Sequence, residues 1–293
     1  MFKGTGVALV TPFDEDLKLD LDAYANIVEN AISKGVDFLV PLGSTGEAAT
    51  LTEEESRKVL DLAIEVNKGR IPILAGNFGG NDTMALVRKI HDFDFRGIDG
   101  ILSASPAYIK PSQEGIFQHY MSLAKASPRP IMIYNVPGRT ASNIEWSTVI
   151  RLAEASDNFA GIKEASGLLD QATHILYNKP EAFILSSGDD PTALPFIAAG
   201  GDGVISVIAN AYPDIFSEMT AAARNGDISK ASSLNKMIFD LHKWLYIEGN
   251  PVGIKAAMQS LGFCKRYVRL PLSPMTEANY KLLDDCIKRI SLR

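Results

Sequence analysis

Lys163 lies in the short apolar run Phe159-Ala160-Gly161-Ile162-Lys163-Glu164-Ala165. The run reads as a buried strand, where an ammonium group is costly unless it has a partner or a task. Glu164 is no ready partner, because successive strand residues point to opposite faces. Burial favours the uncharged amine, which attacks carbonyl carbon, so Lys163 is a candidate imine-forming nucleophile. The competing reading is a structural lysine paired with a carboxylate from another strand. Residue type alone leaves the two in balance.

Further polar groups follow other apolar runs. They are Gly43-Ser44-Thr45-Gly46-Glu47, Ser105-Pro106-Ala107-Tyr108, Tyr134-Asn135-Val136-Pro137-Gly138-Arg139-Thr140 and Ser187-Gly188-Asp189-Asp190. Each also has a plain reading. Ser44 and Thr45 suit a helix cap, although Thr52, with Glu55 three residues on, is the better one. Tyr134 suits a core aromatic, Tyr108 a packed loop residue and Arg139 a solvated charge. Asp189 and Asp190 look like a metal pair, yet Asp190 before Pro191 reads as a helix N-cap. The histidines His91, His119, His174 and His242 have neither HxH nor HExxH spacing, so no metal site is expected.

The elements that must position these groups repeat regularly. Strand-like runs at 6–10, 38–41, 71–75, 100–103, 131–135, 161–163, 183–187 and 203–207 alternate with segments of helical spacing. Leu21, Tyr24, Val28, Ala31 and Ile32 line one such face, and Val59, Leu62, Ala63 and Val66 another. Eight such units predict an α/β fold, a TIM (β/α)8 barrel over residues 1–225. Segments 228–248, 251–261 and 276–290 are helical only, giving a C-terminal helical extension over 226–293. A doubly wound sheet is the alternative, but Thr11-Pro12-Phe13-Asp14 is not its Gly-rich phosphate turn. In a barrel, chemistry sits at the C-terminal strand ends, where all these polar groups fall. Gly200-Gly201 precedes the eighth strand and so lies at the other end.

Bulk properties narrow the partners. A formal charge of −6 over 293 residues, with no basic run, argues against nucleic acid. No apolar stretch approaches the roughly 20 residues that span a bilayer. Cys264 and Cys286 lie far apart without CxxC spacing, which fits a reducing, cytoplasmic setting.

Taken together, the strand-end motifs, with Gly203-Val204-Ile205-Ser206-Val207, resemble the dihydrodipicolinate synthase/N-acetylneuraminate lyase family of class I aldolases over essentially the whole chain. The resemblance implies that Lys163 forms a Schiff base with pyruvate and that Tyr134 carries protons, relayed by Ser44 and Tyr108. It places Thr45, Gly188 and the backbone near Ile205 at the bound pyruvate, and requires no cofactor. Val136-Pro137-Gly138-Arg139-Thr140 is similar to the synthase branch, in which the arginine receives the carboxylate of aspartate semialdehyde for lysine and diaminopimelate biosynthesis. The alternatives are a sialate or keto-deoxy sugar acid lyase of the same family and, less in keeping with these residues, a non-enzymatic ligand-binding barrel. In the family the residue matching Tyr108 reaches in from a neighbouring subunit, which implies a dimer or a tetramer.

Two departures stand out. Ser44 replaces the usual threonine, keeping the hydroxyl but losing the methyl that restricts its rotamer. At positions matching the lysine feedback site this chain has Glu53, Ser56, Gly80, Met84 and Ala107. Met84 leaves no charge for an ammonium, so insensitivity or only weak sensitivity to L-lysine is expected.

Overall fold

A computed structural model describes residues 1–291. Short apolar runs form eight parallel strands: β1 (Gly4–Ala8), β2 (Phe38–Val40), β3 (Leu74–Ala75), β4 (Gly100–Ala104), β5 (Ile131–Asn135), β6 (Phe159–Glu164), β7 (Ile184–Ser187) and β8 (Gly203–Ser206). They are ordered β2-β1-β8-β7-β6-β5-β4-β3, and a parallel bridge between Leu39 and Ile73 joins the two ends into a barrel. The doubly wound alternative is thereby removed.

Each strand is followed by helix. These are α1 (Leu21–Ser33), α2 (Glu53–Asn67), α3 (Thr83–Asp92), α4 (Gln113–Ala126), the one-turn α5 (Pro137–Thr140) with α6 (Trp146–Ala155), α7 (Leu169–Asn178), α8 (Ala193–Ala198) and α9 (Pro213–Arg224). The start of α2 is the expected capping box, with Thr52 and Glu55 each accepting from the other's backbone N–H. Beyond α9 come α10 (Ile228–Ile238), α11 (Leu241–Tyr246), α12 (Val252–Ser260) and α13 (Glu277–Ser291). The stretch expected to be one helix over 228–248 is broken between α10 and α11. Its apolar spacing continues across Phe239 and Asp240, and Leu241 and Leu245 are buried in the core.

The period-2 alternation of the strands sorts their side chains into two cores. Phe38, Val40, Leu74, Leu102, Met132, Ile184 and Ile205 fill the barrel interior, with Phe2 among them. Leu39, Ile101, Ile133, Ile162, Leu185 and Val204 face the helices. Gly161 is required by this packing, since a Cβ there would stand 2.2 Å from the Ile184 carbonyl oxygen.

Candidate active site

Lys163 enters the barrel interior from β6 and is 5% exposed. Strand register places Tyr134 of β5 directly beside it, and the Lys163 Nζ sits 4.4 Å from the Tyr134 ring centroid. On its other side Lys163 pairs in register with Ser186 of β7. Its sequence neighbour Glu164 points out of the barrel, as strand alternation demands. There Glu164 accepts from Asn135 Nδ2 at 2.9 Å, Gln171 Nε2 at 2.7 Å and the Ser166 N–H at 2.7 Å. Asn143 closes this network by accepting from Asn135 and donating to Gln171. A satisfied buried network of this kind is stiff. It anchors the end of β6 and leaves the amine of Lys163 facing a phenol ring instead of a carboxylate.

Gly188 works by having no side chain. A Cβ there would lie 2.9 Å from Lys163 Cε and 2.6 Å from Ala165 Cβ, so only glycine leaves the lysine stem its path. Its N–H is spent on the Glu164 carbonyl oxygen at 2.7 Å. Ile205 lies one strand further round, its side chain 1% exposed in the barrel interior.

The loop after β2 supplies one buried hydroxyl and one exposed hydroxyl: Thr45 is 2% exposed, while Ser44 is exposed. Thr45 Oγ1 accepts from Asn250 Nδ2 at 2.9 Å. Arg139, exposed on α5, donates from Nη2 to the main-chain carbonyl of the same Asn250 at 3.1 Å. Asn250 lies between α11 and α12, and sequence reasoning passed over it. The Asn-Pro pair was a visible turn signal, but nothing local ties it to a loop some 200 residues earlier. Tyr108 stands apart. Its backbone is left-handed at φ 70°, its N–H is fixed on the Thr140 carbonyl oxygen, and its side chain is 88% exposed.

The aspartates depart from expectation. Asp189, not Asp190, caps the turn at Pro191, accepting from the Thr192 N–H at 3.2 Å and its hydroxyl at 2.6 Å. Asp190 is 2% exposed and accepts from the Val207 and Ile208 N–H groups at 2.9 and 2.8 Å, and from the Tyr246 hydroxyl at 3.4 Å. It therefore fixes the exit of β8, the segment that follows Ile205. Burial pushes the Asp190 carboxyl up and the neighbouring His242 imidazole down, and burial first, then Asp190, holds the Tyr246 hydroxyl well above its usual range. The expected cap was a local reading, whereas the acceptor is needed by backbone just beyond the end of β8. Among the described residues, no group of three or more His, Cys, Asp or Glu side chains is arranged to hold a metal ion.

Comparison with known proteins places this architecture. The model of the dihydrodipicolinate synthetase family matches residues 1–290. The chain belongs to this family. A 4-hydroxy-tetrahydrodipicolinate synthase of Cytophaga hutchinsonii is 48% identical over 271 residues, covering 92% of this chain and 91% of the relative. Among solved structures, a chloride-inhibited dihydrodipicolinate synthase of Acinetobacter baumannii complexed with pyruvate superposes with a TM-score of 0.96 at 37% identity, each chain fully covered. A dihydrodipicolinate synthase described as the first monomeric variant matches with a TM-score of 0.96 at 36% identity, covering 100% of this chain and 98% of its own. The family and the barrel expected from the strand-end motifs are those of these relatives.

Within this family member a second buried lysine accompanies Lys163. Lys255 of α12 is fully buried and pairs with Glu47, the last residue of the Gly43-Ser44-Thr45-Gly46-Glu47 motif. Lys255 also donates to the Tyr267 carbonyl oxygen at 2.9 Å, while the Arg269 N–H donates to Glu47 Oε2 at 3.0 Å. The loop that carries Thr45 is therefore clamped to the C-terminal helices.

Proposed function

We propose that this chain condenses pyruvate with L-aspartate 4-semialdehyde to 4-hydroxy-tetrahydrodipicolinate through an imine on Lys163. The observation that carries the reading is Lys163 itself: a buried amine facing the Tyr134 ring at the C-terminal mouth of a barrel, while the adjacent carboxylate is consumed elsewhere. Nζ adds to the ketone carbon of pyruvate, and the carbinolamine loses water to give an iminium. The iminium withdraws electrons so that a methyl proton leaves, forming the enamine. The enamine carbon attacks the aldehyde, and the substrate's own amine closes the ring and displaces Lys163.

Tyr134 is the proton carrier, a phenol whose ring lies against the amine. Thr45 and the Ile205 backbone receive the pyruvate carboxylate, and Arg139 receives that of the second substrate, a task suited to a planar bidentate donor. Ser44 and Tyr108 extend the relay. Tyr108 is turned away from its own chain, and it and its exposed neighbour Ile109 are apolar groups that a second copy would cover. Oligomer formation would then complete the relay. Exposed Met84 offers no charge for an ammonium, in keeping with insensitivity or only weak sensitivity to L-lysine. We place the enzyme in the cytoplasm, where the buried thiols of Cys264 and Cys286 stay reduced.

The decisive experiment is borohydride reduction in the presence of pyruvate, read by peptide mass spectrometry, followed by assay with aspartate semialdehyde or N-acetylneuraminate. A pyruvate-derived adduct on Lys163 and turnover of the semialdehyde are expected. Lack of an adduct removes the imine mechanism, and turnover of the sialic acid alone moves the assignment to the lyase branch.

A further inference from the structure

Asn250 bridges the two residues assigned to different substrates. Its side-chain Nδ2 donates to Thr45 Oγ1 at 2.9 Å, and its main-chain carbonyl accepts from Arg139 Nη2 at 3.1 Å. The loop that bears it is held in place by Glu248, which accepts from the Thr276 N–H at 3.0 Å and from Asn279 Nδ2 at 2.5 Å. The C-terminal helices thereby set one polar residue between β2 and α5 at the barrel mouth.

The direction of the hydrogen bond to Thr45 has a chemical consequence. A hydroxyl has one proton to give. Because Thr45 Oγ1 accepts from Asn250, its proton remains for a different acceptor. A carboxylate at the barrel mouth is such an acceptor, and a hydrogen bond to a charged oxygen is stronger than one to a neutral oxygen. The orientation of the Asn250 amide is decisive: with Oδ1 towards Thr45, the hydroxyl proton would be spent on Asn250.

We infer that Asn250 is a positioning residue that presets the Thr45 hydroxyl as a donor to the pyruvate carboxylate, while its backbone carbonyl independently steadies Arg139. This rests on the reading of Thr45 as a pyruvate-binding residue. It also assigns the C-terminal helices a part in substrate binding, although Lys163, Tyr134, Thr45 and Arg139 all belong to the barrel and its loops. The two contacts use different parts of Asn250, so they separate by substitution. Truncating the side chain removes the first and leaves the second.

The test compares the full-length enzyme with Asn250→Ala, Asn250→Asp, Thr45→Val and the double variant Thr45→Val/Asn250→Ala. Half-saturating pyruvate is read both from borohydride trapping and from turnover, with thermal midpoints as a check on folding. Loss of one such hydrogen bond predicts that Asn250→Ala raises half-saturating pyruvate about tenfold. The KM for aspartate semialdehyde should stay within about threefold, because the Arg139 contact is to main chain. Asn250→Asp is nearly isosteric and keeps the test open if the alanine variant does not fold. Its carboxylate can only accept from Thr45, so it should weaken pyruvate binding more than alanine does. In the Thr45→Val background, Asn250→Ala should change half-saturating pyruvate less than about twofold. Full additivity in the double variant, or an aspartate variant that binds pyruvate as well as wild type, would overturn the inference. Failure of the wild-type enzyme to trap pyruvate at all would instead overturn the function on which it rests.

Discussion

Lys255 Nζ lies 2.5 Å from Glu47 Oε1, in an ion pair whose side chains are 0% and 1% exposed. This lysine and Lys163 are the buried lysines among the described residues, and they embody the two fates open to such a group. Lys255 has a carboxylate, a carbonyl oxygen and the Phe13 ring 4.0 Å away. Lys163 has the Tyr134 ring 4.4 Å away. Burial pushes the Lys255 ammonium below its ordinary range, with Glu47 opposing that shift. Removing one member of a buried pair strands the other charge.

Lys255→Met is therefore expected to destabilise the fold by about 3–5 kcal/mol. Adding Glu47→Leu should restore a large part of that loss. Urea or thermal denaturation of the single and double variants measures this. A double variant as unstable as the sum of the singles would show that the pair is not the source.

Lys163→Met should behave in the opposite way. The adduct with pyruvate disappears and turnover is lost, while the thermal midpoint stays equal or rises, because no ion pair is broken and a buried amine is removed. Tyr134→Phe should retain the adduct and lose roughly 10²–10⁴-fold in kcat, the usual contribution of a positioned proton carrier. Equal loss of trapping in both variants would put Tyr134 in pyruvate binding instead.

Arg139→Lys replaces a planar fork with a point charge. A rise of roughly tenfold or more in the KM for aspartate semialdehyde is expected, on the scale of one charge-assisted hydrogen bond, with pyruvate trapping unchanged. Steady-state kinetics in both substrates reads this directly. Parallel losses for the two substrates would remove the assignment of Arg139 to the second carboxylate.

Acid stability should depend on Glu55. Hydrogen bonds from Arg269, at 2.6 and 2.8 Å, hold its carboxyl down to about 2. A carboxyl lowered in the fold contributes stability that is present above its ordinary value of 4.5 and is lost as pH falls towards about 2. Glu55→Gln should cost about 1.5–3 kcal/mol at neutral pH. Its thermal midpoint should fall less steeply than that of wild type between pH 4.5 and 2. Parallel pH profiles would show that this pair does not govern the acid limb.

Much of this protein is legible from one-dimensional pattern. Eight apolar runs at regular spacing require a sheet covered by helices, and Thr52 with Glu55 states where α2 begins. Lys163 in a buried run is a chemical anomaly in any fold, and strand alternation alone sends Glu164 to the opposite face. What pattern missed is non-local. Asp190 reads as a cap because Pro191 follows it, yet its carboxylate serves Val207 and Ile208, just past the end of β8. Lys255 and Glu47 are 208 positions apart, and Asn250 and Thr45 are 205 apart. No helical or strand period links such pairs.

The sequence by itself determined the alternation of strands and helices, the polar C-terminal strand ends and the presence of a lysine in a buried run, because these follow from burial cost and local backbone period. Tertiary structure alone decided which buried lysine is paired with a carboxylate and which faces a phenol ring. Parallel register sets Tyr134 beside Lys163, and chain return through the C-terminal helices brings Lys255 to Glu47 and Asn250 to Thr45. A charge is neutralised, and a hydroxyl given direction, by whichever group stands next to it in space.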